Sequence, residues 1–239
     1  MKDQEASVRR WAQIAVVVGI AWTMAVSSAL GRSGRGGRSA DQHGDLNLTV
    51  RIYKFVHIPP QQISAAEIAA SKIFRKAGVE LTWVDCPMTG EPIQLNPSCT
   101  NLETATEIHV NIVASFAKNA RADKSTMGFA IPLSPPGHGD LASISYLRAK
   151  QILISAPVPF LPLGELLGCG IAHEMGHLLL GPNHARGGLM SAEWYLDDLW
   201  RASRSQLKFS GEEAARIRED VRARMMEQES LGMAQQAAR

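Results

Sequence analysis

Apolar and polar residues alternate along three stretches of the chain, a pattern typical of half-buried β-strands. The three predicted strands are residues 48–58, 79–86 and 107–116. In the third stretch the apolar positions are Ile108, Val110 and Ile112. Two shorter runs, MGFAIPLS and LASISYL, flank the loop SPPGHGD and predict short strands in a hairpin-like edge.

A helical pattern separates the first two predicted strands. This helix should begin at a capping box formed by Ser64 and Glu67 and end at Gly78. Its apolar side should carry Ile68 and Phe74. A strand, a helix and a second strand joined by short loops favour parallel pairing through a right-handed crossover.

Two further helices are predicted in the C-terminal half. Residues 163–181 form a long apolar helix, and residues 210–229 begin with a capping box at Ser210 and Glu213. The last helix has an apolar stripe at Ala214, Ile217, Val221 and Met225. Its i,i+4 charge pairs, expected on the solvated side, are Glu212–Arg216 and Asp220–Arg224. Charges of alternating sign favour a structural brace over a basic recognition helix.

The chain has 239 residues, which suits one domain with appendages. Residues 11–30 are almost wholly apolar, follow basic residues and end in small residues. We therefore predict that residues 1–30 are a signal peptide or, alternatively, an N-terminal membrane anchor. Residues 31–47 form a Gly/Arg/Ser-rich linker, residues 48–230 the folded domain and residues 231–239 a tail. We therefore expect an exported protein, secreted, periplasmic or held at the cell surface.

The net charge of +2 does not indicate a nucleic-acid partner, and we expect a monomer. Cys86 and Cys99 close a loop rich in Pro, Gly and Asn, so we predict a disulfide between them in an oxidising compartment. In the cytosol they would instead be two free thiols. Cys169, in the long apolar helix, should be buried and inert.

The segment HEMGH, residues 173–177, contains the candidate metal ligands and the candidate general base. His173 and His177 are four residues apart, so on a helix their rings lie on one face. Glu174 can reach a water on the same cation and act as general base for its attack on a carbonyl. Two histidines and an acid would be costly in so apolar a helix unless they were ligands or paired. We predict a catalytic zinc ion (Zn²⁺) with three protein ligands and one open position.

The longer stretch HEMGHLLLGPNH resembles the signature of the metzincin zinc peptidases, H-E-x-x-H-x-x-G-x-x-H followed by a Met-turn. Gly181 comes one residue late, so strict counting puts Asn183 at the third ligand position, whereas the G-x-x-H spacing selects His184. One extra helical residue turns the helix exit by about 100° and lengthens it by about 1.5 Å. A turn at Gly181 and Pro182 can absorb this change. The segment GLM, which contains Met190, resembles the Met-turn.

Over residues 50–228 the chain is also similar to a group of uncharacterised exported bacterial proteins with a metzincin-like site. That resemblance implies His184 as the third ligand and supports the Cys86–Cys99 pair. Other residues that can ligate zinc are Glu193, Asp197 and Asp198.

Three further residues have a side chain that could take part in the chemistry. Tyr195 can assist a tetrahedral intermediate, as in some metzincins, or pack beside Trp194. His109 is interpreted as a surface residue, and His138 as a loop residue, solvated or lining a cleft.

The resemblance implies an α+β zincin fold, with a twisted mixed sheet above the active-site helix and a C-terminal helix. The sheet should be mostly parallel, with one antiparallel edge at residues 128–146 that binds an extended peptide by strand addition. The expected function is zinc-dependent hydrolysis of a peptide or protein substrate, with His173, His177 and His184 as ligands and Glu174 as base. Two alternatives are a non-catalytic zinc-binding module at the cell surface and a hydrolase of a non-peptide amide.

Overall fold

The computed structural model describes residues 46–86, 99, 104–116, 126–131, 140–156 and 158–237. The apolar segment at residues 11–30, nearly all of the predicted linker, and His138 lie outside the described residues. Within the described part of the chain, no helix combines the length and apolar character needed to cross a membrane.

Five strands of the described residues form one sheet. They are β1 (Asn47–Lys54), β2 (Glu80–Cys86), β3 (Glu107–Val113), β4 (Gly128–Ile131) and β5 (Leu141–Ser145). Their spatial order is β2-β1-β3-β5-β4, and only the β4–β5 pair is antiparallel. The predicted mixed sheet with one antiparallel edge is confirmed.

One face of the sheet forms the core. The alternating apolar residues of neighbouring strands lie in register, with Val50 beside Ile108 and Ile112 beside Ile144. All four side chains are fully buried, and each contributes roughly 1.5–3 kcal/mol of hydrophobic stabilisation. His109, on the opposite face, is half-buried rather than a surface residue, with its ring 5.8 Å from that of Tyr53.

The described residues also form five helices. They are α1 (Pro60–Ala77), α2 (Tyr146–Ser155), α3 (Leu163–Leu180), α4 (Leu196–Ser203) and α5 (Gly211–Ala237). Helix α1 contacts β2, α3 contacts β4 and β5, and the two helices pack against each other, so they lie side by side on one face of the sheet. Helix α5 packs against both. The α+β class with a C-terminal helix is confirmed.

The start of helix α1 differs from the prediction. Helix α1 begins at Pro60, because proline at a first helical position already has helical φ, so Ser64 lies inside the helix and does not cap it. Ile68 is 52% exposed, against our expectation, whereas Phe74 is fully buried. The predicted end of α1 at Gly78, with φ 85°, is confirmed.

Helix α2 replaces the end of the last predicted strand, which was expected to reach Leu147. The side chain of Ser145 accepts a hydrogen bond from the backbone N–H of Arg148 at 3.3 Å. This N-cap turns β5 directly into a helix.

Helix α5 begins with the predicted capping box. The backbone N–H of Ser210 donates to Glu213, and that of Glu213 donates to the Ser210 hydroxyl, at 2.7 and 3.2 Å. The predicted apolar stripe packs on the core at Ala214, Ile217, Val221 and Met225. The helix continues to Ala237, through most of the segment assigned to a tail.

The prediction that Arg224 lies on the solvated side of this helix is wrong. Arg224 is only 3% exposed. It pairs with Asp220 at 2.6 Å, as expected, but also with the buried Asp140 at 2.7 Å. A buried arginine requires such partners, and a pattern of alternating charges does not reveal that a partner comes from a distant segment.

The cysteines behave as predicted. Cys86 and Cys99 form a disulfide, with their Cα atoms 5.8 Å apart. Cys169 is a free, buried thiol in α3, and burial raises its pKa far above the usual range. A thiol with so high a pKa is poorly reactive.

Candidate metal centre

Helix α3 brings His173 and His177 together. Nearly every residue of α3 is buried, and His173 itself is only 9% exposed. The i,i+4 spacing places the two rings edge to face on one side of the helix, and their Nε2 atoms lie 3.1 Å apart. The helical half of the predicted site is therefore formed within one element.

The turn after α3 brings in His184. Gly181 ends the helix with φ 92° and ψ −176°, a region that is essentially accessible to glycine alone. The Nε2 atoms of His184 and His177 are 3.1 Å apart, and one nitrogen from each of the three histidines lies within 4.8 Å of the others. The extra residue is thus accommodated by a longer helix before the Gly-Pro turn.

Backbone carbonyls orient two of the rings. Nδ1 of His173 lies 2.7 Å from the carbonyl oxygen of Leu189, and Nδ1 of His177 lies 3.0 Å from that of Gly181. A carbonyl oxygen can only accept, so each Nδ1 donates. In a neutral imidazole the lone pair then belongs to Nε2. Both lone pairs consequently face the centre of the cluster.

The cluster suits a cation rather than protons. Burial, together with His177 and His184, lowers the pKa of His173 to about 4. Burial and His177 also lower the pKa of His184. Neutral nitrogens 3.1 Å apart with facing lone pairs repel each other, whereas tetrahedral Zn–N bonds of about 2.0–2.1 Å correspond to N–N separations of about 3.3 Å. The three histidines can therefore hold a metal ion.

Glu174 lies beside this cluster and against the edge strand. Its side chain is almost buried, at 7% exposed. A Cβ added to Gly128, the first residue of β4, would lie 2.6 Å from Oε1 of Glu174. Glycine at this position is what allows the strand to pass so close. Burial raises the pKa of Glu174 to about 8, and a nearby cation would lower it.

The segment that follows the turn, which includes Leu189 and Met190, packs against helix α3 beside the histidines. Met190 is 1% exposed and packs under α3, where a Cβ added to Gly176 would lie 2.5 Å from its sulfur. The carbonyl of Leu189 accepts from His173 and also from the indole N–H of Trp194, at 3.1 Å. The GLM segment thus contacts the helix that carries the histidines, as its resemblance to a Met-turn implies.

The described acidic alternatives for the third ligand are not part of the histidine cluster. Glu193 accepts a hydrogen bond from the hydroxyl of Tyr195 at 2.8 Å, and Asp198 accepts from the backbone N–H of Tyr195 at 3.1 Å. Among the described residues, the cluster able to hold a metal contains the three histidines and neither these two nor Asp197. Tyr195 itself is 67% exposed.

A cleft of about 650 Å³ opens above the histidines. One wall comes from β4, with Gly128, Phe129 and Ala130. The remaining lining includes Arg148 and Ile152 of α2, together with residues 191–195. The three histidines and Glu174 also line this cleft, so the candidate metal centre is accessible to a ligand.

The site residues that sequence reasoning did not single out include Gly128, Arg148 and Leu189. Only Gly128 had a usable signal, because an isolated glycine in a strand often marks a close approach of the backbone to another group. Arg148 reaches the cleft through the unpredicted helix α2. Leu189 acts through its backbone carbonyl, a group that every residue type carries.

No protein-family model matches this chain, and no curated protein sequence matches it. Solved structures that are similar to it include the following two. Archaemetzincin from Methanopyrus kandleri is 15% identical with a TM-score of 0.46, and the match covers 74% of this chain and 97% of that one. Metalloproteinase-II from Bacteroides fragilis is 15% identical with a TM-score of 0.43, and the match covers 73% of this chain and 53% of that one. The case for a metal site rests on the histidine geometry above.

Proposed function

We propose that this protein is a zinc-dependent peptidase. The observation that carries the proposal is the convergence of three histidine nitrogens within 4.8 Å on the floor of an open cleft. His173, His177 and His184 would hold the ion and leave a fourth position open toward the cleft. Three protein ligands with an open position distinguish catalytic from structural zinc sites.

Zinc is the metal that suits this donor set. Three imidazoles favour borderline ions such as zinc over hard oxygen-seeking ions such as magnesium or calcium. When bound, zinc would supply a Lewis acid that acidifies water and polarises a substrate carbonyl.

Glu174 is the proposed general base. It follows His173 directly, and its carboxyl group lies beside β4 at the wall of the cleft. As a carboxylate it would accept a proton from the attacking water and then deliver it to the leaving nitrogen. This side chain is almost buried and lines the cleft.

The edge strand is the proposed binding place for an extended peptide. Among the described strands, β4 is the last in the sheet order and pairs with β5. Its residues Gly128, Phe129 and Ala130 line the cleft. A peptide added to this edge would run past Glu174, with main-chain hydrogen bonds that are independent of its sequence.

We also propose that the domain works outside the cytoplasm. The Cys86–Cys99 disulfide is compatible with an oxidising compartment, and the apolar residues 11–30 support export. Cell fractionation of the full chain checks this point. Recovery of the protein with reduced cysteines in the cytosol would contradict it.

The test of the catalytic role is to replace Glu174 by glutamine or alanine in the full chain. Glutamine has nearly the same shape and fits under Gly128, so zinc content measured by elemental analysis should stay at the wild-type level. Hydrolysis of an unstructured protein such as casein should fall by at least about 10²–10⁴-fold, the usual contribution of a general base.

Three outcomes would contradict the proposal. Activity retained in Glu174→Gln and Glu174→Ala would exclude the base. A wild-type chain that binds zinc but cleaves neither casein nor a peptide mixture would indicate a non-catalytic zinc-binding module. Cleavage of small amides without cleavage of peptides would indicate a non-peptide amide hydrolase.

A further inference from the structure

Helix α5 caps the C-terminal ends of two other helices with arginine side chains. Arg218 donates to the carbonyl of Ala77, the last residue of α1, at 2.8 Å. Arg216 and Arg224 donate to carbonyls in the last turn of α3, those of Leu180 and Leu178, at 2.7 and 3.2 Å. The last four carbonyls of a helix have no partner within it and carry partial negative charge, so a guanidinium stabilises them.

The bond from Arg216 acts on the peptide unit from which the metal-site turn starts. The carbonyl of that unit belongs to Leu180, and its N–H belongs to Gly181 and donates to the carbonyl of His177 at 3.0 Å. The carbonyl of Gly181 in turn accepts from Nδ1 of His177 at 3.0 Å. Arg216 therefore holds the plane of the peptide that precedes the positive-φ turn toward His184.

Arg224 is a second, more rigid anchor on the same helix end. It is 3% exposed and held by Asp140 and Asp220. Its bond to the carbonyl of Leu178 lies one residue after His177. The two arginines thus bracket the segment in which the extra helical residue lies.

We propose that Arg216, assisted by Arg224, positions His177 and His184 for metal binding. Helix α5 is then more than a brace for the core, because it orients the end of α3 that carries one ligand and starts the turn to another. Arg216 acts through the backbone and contacts no imidazole in this assignment. The inference rests on the proposed metal site.

Arg218 provides a matched control. It lies on the same helix and makes the same kind of bond, but to α1, which carries no ligand. Loss of either cap removes one arginine–carbonyl bond. A purely structural role would give Arg216→Ala and Arg218→Ala the same effects on stability and on metal affinity.

The experiment compares wild type, Arg216→Ala, Arg216→Lys and Arg218→Ala as full chains. Zinc affinity is measured by competition with a chromophoric chelator, the visible spectrum of the Co²⁺-loaded protein reports ligand geometry, and thermal unfolding is followed without metal. Arg216→Ala should weaken zinc binding by about 10-fold, within the range for partners outside the ligand shell, and should change the Co²⁺ spectrum. Arg216→Lys should recover part of the affinity, because lysine can also donate to the carbonyl of Leu180.

Arg218→Ala should leave the zinc affinity and the Co²⁺ spectrum at wild-type values, even if it lowers the unfolding temperature as much as Arg216→Ala does. Equal zinc affinities and Co²⁺ spectra in wild type and Arg216→Ala would overturn the inference alone. Equal losses of affinity in the two alanine variants would overturn it as well. A wild-type chain that binds neither ion would instead contradict the proposed function, and this inference with it.

Discussion

The two halves of the histidine cluster are built differently. His173 and His177 lie on a buried 18-residue helix, whereas His184 is exposed and follows a turn outside that helix. Helical spacing places the first pair on one face of the helix, and the carbonyls of Leu189 and Gly181 orient the two rings. The position of His184 depends on one glycine conformation and on contacts that hold the end of α3.

This difference between the helix and the turn indicates where single substitutions should disturb the metal site. A buried helix resists local change because each of its side chains is packed on several neighbours. An exposed turn has few such contacts, so single substitutions there should shift a ligand without unfolding the domain. The following predictions test this contrast, beginning with the largest expected effect.

Replacing His184 by alanine should have the largest effect on metal binding. Zinc affinity should fall by more than about 100-fold, because a direct ligand is lost rather than an outer partner. Glu193→Ala is the matched control, since Glu193 lines the same cleft but contacts Tyr195. Elemental analysis and chelator competition provide the measurement. Full zinc in His184→Ala with loss of zinc in Glu193→Ala would reverse our assignment of the third ligand.

Gly128→Ala tests whether the helical half also depends on a neighbouring strand. The added methyl group would lie 2.6 Å from Glu174, so the carboxyl group must move. Displacement of a reacting group by about 1 Å can cost about 100-fold in rate. We therefore expect casein hydrolysis to fall by about 10- to 100-fold while zinc content is unchanged. Wild-type rates in this variant would show that the contact with β4 does not orient Glu174.

Gly181→Ala should have the smallest effect of the three. A Cβ at this position would meet no atom within 4 Å, so the cost is backbone strain at φ 92° and not a clash. Such strain amounts to roughly 1–3 kcal/mol. Thermal unfolding should show this loss, and zinc affinity should fall several-fold as His184 shifts. Gly187→Ala, also free of contacts within 4 Å, is a control without positive φ. Equal unfolding temperatures and equal zinc affinities in the two variants would contradict a special role for the turn at Gly181.

Several elements could be predicted because their signals are local. The strands β1, β2 and β3, the helix α3 and the capping box at Ser210 follow from periodicity and from residues three or four positions apart. The start of α1 was missed because a proline and a capping box competed for it, and the proline determined the start. Helix α2 was missed because a single N-cap at Ser145 ended a strand-like pattern.

The local sequence determined that His173, Glu174 and His177 share one region of a helix, because the helical repeat alone sets their spacing. It also supplied a glycine able to adopt the turn conformation at Gly181. Only the tertiary structure decided that the turn directs His184 toward the other two histidines, that β4 lies against Glu174, and that arginines of α5 hold the end of α3. These contacts join segments far apart in the chain, and their energies depend on packing and distance, which no local pattern of residues records.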